Sequence, residues 1–85
     1  MSTGALLQER QTTHGSFAQN AQYGQLLRDL YRTAPTWHSM PVEHREALDM
    51  IACKLSRILS GQSLYADHWR DISGYSALAE KECQS

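Results

Sequence analysis

The sequence predicts an all-α fold: a three-helix domain with a flexible N-terminal arm, its core completed by homo-oligomerisation. Three observations lead there. Apolar residues recur at helical spacing in three stretches, parted by Pro35, Pro41 and Gly61. No alternating strand pattern, internal repeat or low-complexity block competes with them. The chain has 85 residues, 41% hydrophobic and 20% charged, which suits one small core. A chain of this size buries only about 60% of its unfolded surface, so pairing with a second copy is a natural way to gain core. The expected organisation is an arm over residues 1–15 and a helical domain over 16–85.

The arm, MSTGALLQERQTTHG, has one apolar island, Ala5, Leu6 and Leu7, and no sustained period. Ser16 is placed to cap a first helix over 17–33. Phe17, Tyr23, Leu26, Leu27, Leu30 and Tyr31 gather on its core side, while Gln22, Gln25, Arg28 and Asp29 face away. Pro35 stops it, and Trp37 in the following loop reads as a lid on the core. Pro41 suits a first helical turn, with Ser39 or Met40 as the cap. The second helix, VEHREALDMIACKLSRIL, carries an apolar arc of Ala47, Leu48, Ile51, Leu55, Ile58 and Leu59, and Gly61 ends it. The third occupies 65–82, capped by Ser63 or Asp67, with Ile72, Tyr75, Leu78, Ala79 and Cys83 on one face together with His68 and Asp71. Gly74 in its interior costs about 1 kcal/mol relative to Ala, which suggests a close helix contact.

Composition excludes several classes. A net charge of −1 gives no basic field for duplex DNA or an anionic membrane. No apolar run approaches the roughly 20 residues that span a bilayer. Cys53 and Cys83 form no CxxC pair and no secretory signal precedes them, so the reading is a soluble protein of a reducing cytoplasm, with both thiols packed as small apolar groups.

Asp71 is the first candidate for chemistry. A carboxylate on an apolar face needs a cationic or multi-donor partner. Lys54 and Arg57, one turn apart on the second helix, are placed to supply it. His68 and Tyr75 flank Asp71 by one turn each, so a polar seam between two helices is expected. The residues taken as ligand-binding are Lys54, Arg57, His68, Trp69, Asp71 and Tyr75: cations for a phosphate and rings for a base. Arg28, Arg32 and Arg70 are further phosphate donors.

Glu43, Glu46 and Asp49 recur every three residues. Glu46 and Asp49 with Asp71 are the weak candidates for Mg²⁺, and a solvated face with an Arg45–Asp49 pair explains the run more simply. His14, His38, His44 and His68 show no metal-ligand spacing, and no nucleophile elbow or Gly-rich phosphate loop occurs. No catalytic residue, metal or cofactor is expected.

The strings HGSFAQNA, HREALDMIACKLSRILSG and ADHWRDISGYSALAE resemble a family of small uncharacterised proteins encoded by phages and prophages, over about residues 13 to 80. The resemblance implies a phage origin, an all-α fold and expression in the host cytoplasm. More remotely, DHWRDISGYSALAE is similar to the last helix of all-α nucleoside triphosphate pyrophosphohydrolases of the MazG type. Those enzymes hold Mg²⁺ with paired acids on an earlier helix, and here His44 follows Glu43 where the second acid would stand. Lys54 and Arg57 also bring positive charge there, which implies a pocket that keeps phosphate binding without turnover.

The function expected is a helical, oligomeric binding protein that holds or sequesters a nucleotide-like ligand, such as a nucleotide or cyclic nucleotide, with an anti-defence role. The alternatives are an interaction module that inhibits a host or phage protein, and a reduced MazG-like Mg²⁺-dependent pyrophosphohydrolase.

Overall fold

Ser16 Oγ accepts the backbone N–H of Gln19 at 3.4 Å, and from this cap α1 runs over Phe17–Tyr31. The computed structural model describes residues 16–83; the arm expected over 1–15 lies outside them. Past Arg32 the chain turns through a 3₁₀ segment, Trp37–Ser39, into α2, Val42–Arg57. A π-helical turn, Ile58–Gln62, leads to α3, Ala66–Lys81. The fold is all-α, with three helices and no strand among the described residues.

The ends of the helices follow local chemistry. Pro41 stands at the N-cap of α2 and not inside its first turn, and the helix begins at Val42. At the far end Ser60 leaves helical geometry and Gly61 takes φ 121°, a conformation that favours glycine, so the expected stop is found inside the π-helical turn. Neither Ser63 nor Asp67 caps α3; Tyr65 holds that position without a side-chain bond. Asp67 instead lies in the first turn and pairs with Arg70 Nη1 at 3.0 Å.

α2 is central, with α1 packed along one side and α3 along the other. α1 turns a different side to the core than its leucines suggest. Phe17, Leu26 and Leu30 are 78%, 58% and 70% exposed, and Asn20, Tyr23, Gly24, Leu27, Arg28 and Tyr31 are the more buried positions. Polar anchoring decides the rotation. Tyr31 donates a short hydrogen bond to Asp49 of α2, and Arg32 Nη2 reaches both Asp49 oxygens at 3.0 and 2.9 Å. Asp49 is therefore a clasp for α1 and not the partner of Arg45, whose Nε is buried without a hydrogen-bond partner among the described residues. Trp37 closes this end, 7% exposed, 5.1 Å from the Tyr31 ring and under the Arg32 guanidinium.

Close helix approach occurs at Gly24, not Gly74. A Cβ built on Gly24 would meet Arg28 Nη1 at 3.1 Å and Ser56 Cβ at 3.7 Å, whereas one on Gly74 would meet nothing within 4 Å. Gly74 is exposed because α3 meets α2 through Asp71, Tyr75 and Ala79, and Gly74 is turned away from that line. Beyond Trp37, the only buried apolar residues described are Ala47 and Ala52, and no large side chain is fully buried. Cys83 is exposed and Cys53 half-buried, so only Cys53 packs as expected.

Candidate functional site

The α2–α3 seam brings together part of the expected ligand-binding set. Lys54 Nζ lies 3.0 Å from Asp71 Oδ2. His68, 4% exposed, faces Gln62 Oε1 with Nε2 at 2.5 Å. Its Nδ1 is buried without a hydrogen-bond partner among the described residues. Burial, with Lys54 and Arg57 adding like charge, holds the His68 pKa below its ordinary value, so the ring is neutral at pH 7. Trp69 donates its indole N–H to Ser63 O at 2.8 Å. At the other end His44 Nε2 donates to Ala79 O at 2.8 Å.

The seam is thus largely closed on itself: Lys54, Asp71, His68 and the polar edge of Trp69 all have partners inside the chain. Arg57 does not join it and makes no ion pair among the described residues. Tyr75 lines an apolar groove of about 570 Å³ with Val42, Ala47 and Leu78, rimmed by Glu43, Glu46, Glu82 and one cation, Lys81. That rim repels phosphate.

Arg57 opens instead into a cleft of about 250 Å³ between α1 and α2, with Phe17, Asn20, Gln25, Arg28 and Ser56. Local structure accounts for each wall. The Ser16 cap starts α1 so that the exposed ring of Phe17 stands at the mouth. Asn20 Oδ1 is held by Ser60 Oγ at 2.6 Å, and Ser60 itself is fixed where α2 breaks. Gly24 leaves room for Arg28 to lie across the interface, where Nη2 reaches Asp49 O at only 3.4 Å. Most Arg28 donors therefore remain for another acceptor.

The cleft is lined by two guanidinium groups, two amides, a hydroxyl, the Cys53 thiol, the Ala21 methyl and a ring, and by no carboxylate. Such a set suits a phosphate by charge-assisted bonds and an aromatic base by stacking. Of the residues that line this cleft, the sequence offered Arg57 as a candidate ligand-binding residue and Arg28 as a further donor, and did not single out Phe17, Asn20 or Gln25 for a site. Gln25 and Arg28 read, with Gln22 and Asp29, as the solvated side of α1.

A family model for a domain of unknown function, DUF6378, matches residues 2–83. The chain belongs to the DUF6378 family. No curated protein and no solved structure gives a significant match. In this DUF6378 chain the weak Mg²⁺ candidates are separately engaged: Glu46 rims the apolar groove, Asp49 clasps α1 and Asp71 pairs with Lys54. Among the described residues no three His, Cys, Asp or Glu side chains are grouped to hold a metal ion. No described helix is long and apolar enough to cross a membrane.

Proposed function

We propose that this chain is a helical binding protein for a small phosphorylated, nucleotide-like ligand, and that the α1–α2 cleft is its site. The observation that carries the reading is the pairing of Arg28 and Arg57 across a cleft that no carboxylate lines. Phe17 supplies a face for the base, and Asn20 and Gln25 offer amides to its edge. At about 250 Å³ the cleft is below the roughly 300–1,000 Å³ of enclosing sites, so the ligand lies across it with part of its surface in solvent.

A phage origin, which the resemblance of the sequence implies, would place the protein in a host cytoplasm, where sequestering a signalling nucleotide or cyclic nucleotide would blunt a defence. A thermal-shift screen of nucleoside phosphates and cyclic oligonucleotides tests the reading. A stabilising ligand whose effect is lost in Arg57→Ala is expected; silence across the panel rejects it.

A second reading, an interaction module acting on a host or phage protein, is favoured by the acid-rimmed apolar groove of Tyr75 and Leu78. Tyr75→Ala would then abolish capture of a stoichiometric partner from host lysate while leaving nucleotide binding intact. Capture unchanged by Tyr75→Ala rejects this second reading.

A further inference from the structure

The face of the molecule opposite the cleft is apolar and only partly covered. On α1 the line Gly24, Arg28, Tyr31 meets α2. Gln25 turns from that line toward the cleft, whereas Leu27, Tyr23 and Leu30 turn the other way by about 60° to 120°. On α2, Asp49 and Ser56 meet α1 and Lys54 meets α3. At about 100° per residue, Leu48 and Leu55 fall between those two lines, on the side away from Arg57, and Leu59 follows in the π-helical turn Ile58–Gln62. Leu30 and Leu59 are 70% and 58% exposed, and the other four are half-buried.

We propose that Tyr23, Leu27 and Leu30 of α1 with Leu48 and Leu55 of α2 and Leu59 of the π-helical turn form the contact face of a two-fold homodimer. Three arguments choose a second copy as the occupant. Among the described residues of one chain the buried apolar ones are Trp37, Ala47 and Ala52, a small core to set against the ordering cost of folding. The missing cover must therefore be present whenever the chain folds, as a second copy is and a transient partner is not. Residues 1–15 are also always present, yet their apolar island is only Ala5, Leu6 and Leu7.

Size agrees. Helices of 15 and 16 residues are about 22–24 Å long, and two lying about 8–10 Å apart present roughly 400–500 Å² in plan. With side-chain relief this is of the order of the ~800 Å² per partner that stable interfaces bury. In a two-fold contact each patch meets itself, so a charged patch would repel; none of these six side chains is charged at pH 7. The pairing leaves the cleft open on the far side and does not depend on what the cleft binds.

Sedimentation of the full chain tests the dimer. The wild type is expected at twice the 9.6 kDa chain mass, with a urea midpoint that rises over about a hundredfold increase in concentration. Leu30→Glu and Leu59→Glu should lose the dimer, either as chain-mass species or by loss of helix. Leu78→Glu, on the opposite groove, and Leu6→Glu with Leu7→Glu in the arm should keep it. A wild type of chain mass with a concentration-independent midpoint overturns the proposal. So does a dimer that survives both face variants, or one that dissociates on the arm or Leu78 substitutions.

Discussion

Lys54 of α2 and Asp71 of α3 form a 3.0 Å ion pair in which the Lys54 side chain is 18% exposed and the Asp71 side chain 45%. A carboxylate this wet is screened, so the pair is a brace of modest strength. Asp71→Ala should fold, with a loss of about 1 kcal/mol by urea denaturation. The roughly 3 to 5 kcal/mol of a fully buried pair would require an Asp71 sealed from water. Ligand binding should be unchanged, because Asp71 does not line the α1–α2 cleft.

His68 gives stability a pH dependence with a definite sign. Burial, then Lys54 and Arg57, lowers its folded pKa below the ordinary 6.5. A second proton would enter on Nδ1, which has no acceptor there among the described residues. The unfolded chain therefore binds more protons than the folded one, and the neutral ring's contribution is fully present above about pH 6.5. It is lost as pH falls from there toward the folded pKa. Urea midpoints between about pH 5.5 and 7.5 should fall with acid in the wild type and be flatter in His68→Gln.

The two helical glycines should respond differently to alanine. Gly74 meets open space, so Gly74→Ala should raise stability by about 0.5–1 kcal/mol through helix propensity. Gly24→Ala places a methyl 3.1 Å from Arg28 Nη1, the end of a flexible side chain that can shift. Its stability should change by less than about 1 kcal/mol. Its ligand affinity should drop, because Arg28 is displaced from the cleft.

The Asp49 clasp has an optical signature. Burial and the hydrogen bond to Asp49 raise the Tyr31 pKa to about 12. The phenol contributes stability below the unfolded value of about 10, and this is lost as pH rises from there toward about 12. Ultraviolet titration should show one late tyrosinate, absent in Tyr31→Phe. Asp49→Ala should cost about 2 kcal/mol by removing the acceptor of both Tyr31 and Arg32.

Periodicity and punctuation made the three helices, the Ser16 cap, the Gly61 stop and the Lys54–Asp71 pair legible in the sequence. Those features depend on neighbours within one helix or on the simplest pairing of charges between two. The rotation of α1 was not legible, because leucine periodicity names an apolar side without saying whether the same chain covers it. Polar contacts from Tyr31 and Arg32 to Asp49, 18 and 17 residues away, set that rotation. Gly74 misled for a related reason: a glycine in a helix marks either a close approach or nothing, and only packing distinguishes them. Arg57 was legible as a candidate cation, but Phe17, Asn20 and Gln25, which line the same cleft, lie on a helix whose facing side the sequence did not reveal.

Isothermal titration calorimetry of the full chain against nucleoside triphosphates, cyclic dinucleotides and inorganic pyrophosphate tests the central claim most directly. The account predicts saturable binding of a phosphorylated ligand that is lost in Arg57→Ala and weakened in Phe17→Ala, with Asp71→Ala unaffected. No heat from any of these ligands, or binding that survives Arg57→Ala but vanishes in Asp71→Ala, would contradict it.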